Sequence, residues 1–292
     1  MSAAPQPWVD THVHLFNRKG LTYSWLETVG EPWTGILGDY TPLAERGDYT
    51  LADYLAEARP TGLAKIVHAE AAFGSDPAAE TAWLQGVANQ AEIPIAIVGH
   101  AHLDSPDVGE ELDRQCENAN FRGVRMLWGA GGAESAAFRA GFELLIDRRL
   151  SFEDPFGWDN ADGLCQLAAA YPAVQIVLGH CGMPMQRDPD YIARWRATLA
   201  RLAQYPNIFC KISGVHMTEH NWTFASVKGV VDSVIEAFSP ERCFFGSNWP
   251  VDSLYGGTLE DSVADYRRII APYSADERAA MMFDNASRFY RI

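Results

Sequence analysis

The chain has 292 residues, of which 48% are hydrophobic, and a formal net charge of −15. This charge argues against nucleic acid or an anionic membrane as a general partner, and no apolar run approaches the length of a membrane span. Residues 1–7 lack the basic and apolar regions of a signal peptide, so we expect none. The five cysteines are scattered without CxxC spacing, which is typical of a reduced protein, and we expect a cytoplasmic location.

The first regular element is predicted at Trp8–Leu15, which reads WVDTHVHL. Apolar and polar residues alternate, as they do along a β-strand, so Asp10, His12 and His14 are expected on one face. Two imidazoles side by side can hold one divalent ion or one oxyanion. The short motif alone also allows one histidine to pack in the core while the other meets solvent.

A long aromatic segment, Phe16–Tyr49, follows this strand without a clear period. Connections of this length are usually functional or disordered, and the aromatic content favours a packed structure. Two interpretations stay open, a lid over a substrate site and a hydrophobic cluster that covers one end of the fold.

From residue 50 onwards, strand-like and helix-like segments alternate regularly. Further strands are predicted at Ala64–Glu70, within Ile93–Leu103, and at Phe121–Leu127, Arg149–Glu153, Val174–His180, Ile208–Ser213 and Arg242–Ser247. Helices are predicted from Thr50 to Ala58 and at Ala78–Ala91, Pro106–Asn118, Ser135–Arg148, Asn160–Tyr171, Asp190–Tyr205, Thr223–Phe238 and Leu259–Ile270, with a last amphipathic segment at Ala275–Tyr290.

Eight strands, each followed by a helix, predict an α/β fold of the closed (β/α)8 TIM-barrel type. Several strands are nearly continuous apolar runs, as a parallel sheet covered on both faces requires. A doubly wound open sheet is the alternative, but no GxGxxG phosphate loop favours it. No repeat or linker divides the chain, so we expect a single domain over residues 1–292.

In such a barrel the active site lies at the carboxyl ends of the strands. Six of the eight histidines fall at these predicted ends, which scattered structural histidines would not do. The polar residues at the strand ends, in chain order, are His12, His14, His68, Glu70, His100, His102, Arg125, Glu153, Asp154, His180, Lys211, Ser213, Ser247 and Asn248, with Asp252 four residues further on.

Four motifs carry a resemblance to a known family: DTHVH on the first strand, VLGHCG on the sixth, KISG on the seventh and FGSNWPVD on the eighth. Together they resemble the amidohydrolase superfamily, and within it the amidohydrolase-related TIM-barrel branch that includes sugar and dicarboxylate lactonases. The resemblance implies a metal position at His12, His14 and His180. It also places Asn248 where the family normally carries an acid.

The chain departs from the family pattern in ways that bear on the chemistry. Asn248 has no ionisable carboxylate and cannot be a general base, so Asp252 is the candidate for the missing acid. The fifth strand has no histidine and the fourth ends in Arg125 rather than a bridging ligand. We therefore expect at most one divalent metal, zinc before manganese, and metal-independent chemistry is an alternative.

Lactone hydrolysis requires a polarised carbonyl, an activated water and protonation of the leaving oxygen. Zinc on His12, His14 and His180 would polarise the carbonyl, or the same histidines would act as oxyanion donors without metal. Asp252 would be the base and then the acid, with Glu153 or Asp154 as substitutes.

Four further residues are candidates for substrate binding. Arg125 has a planar fork that suits a carboxylate or hydroxyl of the substrate, although a salt bridge to Glu70 is the alternative. Asn248 and Glu70 are also expected to contact substrate. Lys211 is a candidate as well, with a structural lysine as the alternative.

The resemblance favours a hydrolase of a hydroxylated or carboxylated lactone, a small-molecule substrate. A metal-dependent decarboxylase of an aromatic or enoic acid is one rival, and a catalytically degraded barrel that binds a small anion is another. Pairing of two chains through an exposed aromatic lid would give a homo-oligomer, although no sequence pattern marks an interface.

Overall fold

The computed structural model describes residues 5–126, 132–155 and 157–292. Its sheet has eight strands in sequential order, each parallel to the next. The strands are β1 (Trp8–Val13), β2 (Leu63–Ala69), β3 (Ile95–His100), β4 (Phe121–Arg125), β5 (Ser151–Asp154), β6 (Ile176–Leu178), β7 (Ile208–Ile212) and β8 (Cys243–Phe245).

The sheet closes on itself through the main chain of β1 and the segment after β8. The amide of Asn248 donates to the carbonyl of His12, and the amide of His14 donates to the carbonyl of Trp249, both at 2.8 Å. The predicted TIM barrel is thus confirmed, and its seam passes through the first-strand histidines.

Helices follow the strands around the outside of the barrel. They are α1 (Ser24–Glu27), α2 (Trp33–Leu37), α3 (Thr41–Ala44), α4 (Leu51–Ala58), α5 (Pro77–Gln90), α6 (Val108–Cys116), α7 (Ala136–Arg148), α8 (Ala161–Ala170), α9 (Pro189–Leu202), α10 (Phe224–Phe238), α11 (Leu259–Ile270), α12 (Ala275–Ala279) and α13 (Asn285–Tyr290), with a π-helical turn at Ala280–Asp284. None of the helices in the described ranges is long and apolar enough to cross a membrane.

Several predicted bounds differ from the structure for local reasons. The fifth strand begins at Ser151 and not at Arg149, because Arg149 adopts a left-handed conformation (φ 54°) that ends α7. The sixth strand ends at Leu178, and His180 lies in a short 3-10 turn. The fourth strand ends at Arg125, while its predicted last residue, Leu127, lies outside the described residues.

The interior of the barrel is filled by small and aromatic side chains near the amino ends of the strands. One buried cluster contains Val9, Val67, Ala96, Val98, Val177 and Phe244 from the strands together with Ala286, Phe289 and Tyr290 of the chain's last segment. Helix α13 therefore closes the amino-terminal end of the barrel. The polar residues lie on the other side of this apolar layer, toward the carboxyl ends of the strands.

A β-bulge in β1 changes which residues share a face. Asp10 pairs with Ile66 and Val13 pairs with His68, so β1 takes three steps where β2 takes two. The extra residue interrupts the alternation. The strict alternation had predicted Asp10 on the same face as His12 and His14, and this prediction is wrong. The carboxylate of Asp10 accepts a hydrogen bond from Tyr54 of α4 at 2.7 Å.

The segment 16–49 contains three short helices, α1 to α3, that a period search could not detect. Its aromatic side chains form a continuous cluster in which Trp25 lies 5.7 Å from Trp33 and 6.1 Å from both Phe16 and Tyr40, between ring centroids. The segment is therefore packed, as its composition indicated.

Two helical glycines provide a matched test of how closely the outer helices pack against the rest of the barrel. A Cβ at Gly141 in α7 would lie 2.0 Å from the carbonyl oxygen of Leu103, whereas a Cβ at Gly86 in α5 meets nothing within 4 Å. We expect Gly141→Ala to lower the free energy of unfolding by about 1–3 kcal/mol, and Gly86→Ala to raise it by about 0.5–1 kcal/mol. Urea denaturation measures both changes, and equal effects would contradict the packing of α7.

Candidate active site

The structure brings three predicted histidines together at the carboxyl end of the barrel. The Nε2 atoms of His12 and His14 lie 3.1 Å apart, and the ring of His180 lies 4.5 Å from that of His12 between centroids. All three are buried. Burial lowers the pKa of each imidazole well below its ordinary value, so all three are neutral at pH 7.

The hydrogen-bond partners assign the tautomers of two of these rings. His14 Nδ1 lies 2.9 Å from the carbonyl oxygen of Ala69, which can only accept, so Nδ1 carries the proton. His180 Nε2 lies 3.4 Å from the Nη2 of Arg125, which can only donate. His180 therefore accepts at Nε2 and donates from Nδ1 to Ser213 Oγ at 3.0 Å.

These assignments determine the state of His12. Because His14 Nε2 has no proton, His12 donates to it from its own Nε2. The Nδ1 of His12 is buried and has no hydrogen-bond partner among the described residues. The two rings thus share one hydrogen bond, and because the His14 Nδ1 proton is donated to Ala69, neither ring has a free N–H for an oxyanion.

Arg125 lies between an acid and a histidine. Its Nη1 is 3.3 Å from Glu70 Oε1, and its Nη2 is the group that meets His180. The predicted alternative, an internal salt bridge to Glu70, is therefore present, yet both residues also line the cavity. Burial raises the pKa of Glu70 to about 8, although the adjacent guanidinium opposes that rise.

Asn248 and Asp252 form a buried pair. The amide nitrogen of Asn248 donates to Asp252 Oδ1 at 2.8 Å, while Asp252 Oδ2 lies 3.3 Å from both the main-chain nitrogen and Nδ1 of His216. Asn248 has a left-handed backbone (φ 58°), which asparagine tolerates better than most residues. Among the described residues, those that line the cavity include Asn248 but not Asp252.

Lys211 lies deeper in the barrel and does not line the cavity either. Its Nζ donates to Glu153 Oε2 at 2.6 Å, and the hydroxyl of Tyr290 donates to the other oxygen of Glu153 at 2.5 Å. Burial lowers the pKa of Lys211. The geometry thus matches the structural alternative for Lys211, a charge pair that joins β5 and β7 to α13.

The cavity above these residues is small and has two unlike sides. Its floor is polar, formed by His14, Glu70, Arg125, His180 and Asn248. Its roof and walls are apolar, formed by Trp25, Trp33, Ile36, Leu37, Ala71, Phe73, Met217 and Val251. The volume is about 50 Å³, whereas ligand pockets usually measure about 300–1,000 Å³. The roof must therefore move before a substrate can enter.

Two side chains that are not among the predicted site residues hold this roof in place. Tyr255 donates to the carbonyl of Leu37 at 3.0 Å, and His220 donates to that of Ile36 at 3.2 Å. Their rings stack at 4.6 Å between centroids. Both come from the loops after β7 and β8, and their position in those loops was the available signal.

The remaining histidine pair lies at the edge of the site. His102 is exposed and bonds Glu111 at 2.8 Å, and His100 bonds the carbonyl of Arg125 at 3.2 Å. In the described ranges, no group of three His, Cys, Asp or Glu side chains is arranged to hold a metal ion.

The expected metal ligands are the Nε2 atoms of His12, His14 and His180. The 3.1 Å between the first two Nε2 atoms suits two ligands of one ion. The third Nε2, however, faces a guanidinium, and a second cation there would be repelled. In this arrangement the three residues do not fit a three-histidine metal site.

Comparisons with known proteins agree with this fold. A family model described as amidohydrolase matches residues 9–292. Protein y4mH of Sinorhizobium fredii is 37% identical over 298 residues, which cover 97% of this chain and 98% of the relative. An L-fucono-1,5-lactonase of Burkholderia multivorans is 28% identical and the alignment covers 97% and 96%. A crystal structure of an amidohydrolase from Burkholderia multivorans with bound zinc has a TM-score of 0.83 and 26% identity, with 98% and 100% coverage.

The Lys211–Glu153 pair provides a test of its structural role. Removing one partner leaves a buried charge uncompensated, so Lys211→Met should lower the free energy of unfolding by about 3–5 kcal/mol. The double variant Lys211→Met with Glu153→Leu should recover a substantial part of that loss. Chemical denaturation measures the cycle, and additive losses would contradict a direct charge pair.

Proposed function

Because the chain belongs to the amidohydrolase family, we propose that it hydrolyses a lactone, a cyclic ester of a sugar acid or of a dicarboxylic acid. The observation that carries the proposal is the Arg125–Glu70 pair on the floor of a roofed cavity. It provides a cation for a carbonyl oxygen beside an acid with a pKa of about 8. The similarity to a protein named L-fucono-1,5-lactonase supports this reaction class.

In the proposed mechanism Arg125 polarises the lactone carbonyl. Its guanidinium is buried, so the interaction with a developing oxyanion is weakly screened. Glu70 and His180 hold the two Nη atoms from opposite sides, which fixes the direction of the fork before substrate arrives. His180 is accordingly a positioning residue for Arg125.

Glu70 is the proposed base, because it is the carboxylate that lines the cavity in the described part of the chain. Its ionised form takes a proton from water as the water oxygen attacks the carbonyl carbon. When the tetrahedral intermediate collapses, the ring carbon–oxygen bond breaks and Glu70 returns the proton to the leaving oxygen. The product is the open hydroxy acid.

Asn248 and the first-strand histidines would bind and orient the substrate. Asn248 donates to Asp252 through its amide nitrogen, so its amide oxygen is left for the substrate. Asp252 would then position Asn248, in place of the base role that the sequence suggested. No step is assigned to a metal, because His12, His14 and His180 do not fit a three-histidine metal site in this arrangement.

The direct test is an assay of hydrolysis on a panel of sugar and dicarboxylate lactones, in which the release of protons is measured. We expect turnover by the purified protein, and a loss of about 10²–10³-fold in kcat for Arg125→Lys, which keeps the charge but not the fork. The metal content and the effect of chelation are measured in parallel, since a structurally similar amidohydrolase contains bound zinc. A folded protein that turns over no lactone would contradict the proposal.

The base is identified by the pH dependence of the rate. Only ionised Glu70 accepts a proton, so the rate should rise about tenfold per pH unit below its pKa of about 8 and level off above it. Glu70→Gln should lower kcat by about 10²-fold or more and remove this rise.

Two variants serve as controls for this assignment. Asp252→Asn keeps the hydrogen bonding of the pair and should leave the pH profile in place, whereas its collapse would identify Asp252 as the base. Glu80→Gln is needed because burial also raises the pKa of Glu80 to about 7. Glu80 bonds the amides of Ala71 and Ala72, so we expect this variant to retain the rise near pH 8.

A further inference from the structure

A second cavity lies at the opposite end of the barrel, among the amino ends of β5, β6 and β7 and the last helix. We call it the basal cavity, and its volume is about 650 Å³. This is within the usual range of ligand pockets. The polar side chains that line it include Arg149, Arg288, Arg291 and Gln175.

The arginines of the basal cavity have no carboxylate partner. Across the described residues, every ion pair involves other side chains. Arg288 donates to the amide oxygen of Asn285, and the neighbouring Arg122 donates to main-chain carbonyls. Three arginines that line one cavity and form no ion pair among the described residues contrast with the net charge of −15 of the chain.

The charges in this region repel one another. Burial and the like charges of Arg122 and Arg149 lower the pKa of Arg291, and no carboxylate opposes them. The nearby main-chain oxygen of Ile292 is bonded by Lys65 at 2.5 Å and not by these arginines. Arg149, Arg288 and Arg291 are all exposed at the wall of the basal cavity, so their charges are accessible to a ligand.

The backbone adds an independent observation. Arg149 and Arg291 both adopt a left-handed conformation with φ 54°, at the carboxyl ends of α7 and α13. Glycine or asparagine usually occupies this position, because a larger side chain is strained there. Cations favour helix carboxyl ends, but Arg148 and Arg288 in the last turns already provide that charge.

We propose that the basal cavity binds a small polyanion, a molecule that carries two or more phosphate or carboxylate groups. Guanidinium groups bind both kinds of anion through paired hydrogen bonds. Arg149 and Arg291, which both have a strained left-handed backbone, line the same cavity. This site is separate from the roofed cavity and does not depend on the proposed lactonase reaction.

The test is calorimetric titration of the full chain with two probes, inorganic pyrophosphate and citrate, at constant ionic strength set by sodium chloride. We expect saturable binding of at least one probe, with one site per chain, and the stronger of the two identifies phosphate or carboxylate as the preferred group. Binding should also raise the thermal midpoint, Tm.

The variants Arg149→Gly and Arg291→Gly suit this test because glycine adopts the left-handed conformation without strain. Each should keep or raise the Tm without probe and should weaken probe binding about tenfold, the loss expected for one charge-assisted contact. Lys19→Gln is the matched charge control. Its side chain is 90% exposed in the segment over the other end of the barrel, and the variant should bind like the original chain.

Three outcomes would overturn the proposal. These are no saturable binding of either probe, equal binding by the glycine variants, and loss of binding in Arg125→Lys instead, which would place the anion in the roofed cavity. Because the readout is binding and not turnover, a failure here is distinct from a failure of the lactonase assay.

Discussion

The buried guanidinium of Arg125 is the constraint on which the candidate site depends. A desolvated cation must be matched by acceptors, and here Glu70 and His180 satisfy its two Nη atoms. This requirement determines the tautomer of His180 and directs its Nδ1 proton to Ser213. The same cation opposes the rise in the pKa of Glu70 that burial causes. Arg125 therefore affects both groups, the tautomer of the positioning histidine and the pKa of the proposed base, although burial is the larger cause of each pKa shift.

A second buried cation, Lys211, also affects the protonation of the histidines. Lys211, held by Glu153 and Tyr290, lies on the barrel side away from the roof. After burial itself, the charges of Arg125 and Lys211 contribute to the lowered pKa values of His12 and His180. Neutral histidines offer lone pairs rather than charges, so electrophilic stabilisation is left to Arg125. The last helix takes part in this arrangement, because its Tyr290 completes the Glu153 pair at the base of the barrel.

The sequence predicted the barrel because eight apolar strands and eight following helices leave a strong periodic signal. It also predicted that His12, His14 and His180 meet, since parallel strands end on the same side. The β1 bulge escaped prediction because an extra residue depends on pairing with β2 and leaves no mark in β1 itself. The pairing of Asp252 with Asn248 and His216, which keeps it out of the described cavity lining, is a tertiary feature that its sequence position does not reveal. The roof helices were missed because helices of four or five residues are too short to show a period.

The asparagine at position 248 has a physical reason in this structure. Its amide donates to the buried carboxylate of Asp252 at 2.8 Å. An aspartate at 248 would set two buried carboxylates against each other, and one of them would have to be protonated. Asparagine avoids that repulsion and provides the donor that Asp252 requires. In the proposed mechanism the carboxylate comes instead from Glu70, on the segment after β2, which lines the cavity. An asparagine at position 248 is therefore compatible with the proposed hydrolysis and does not by itself indicate a degraded site.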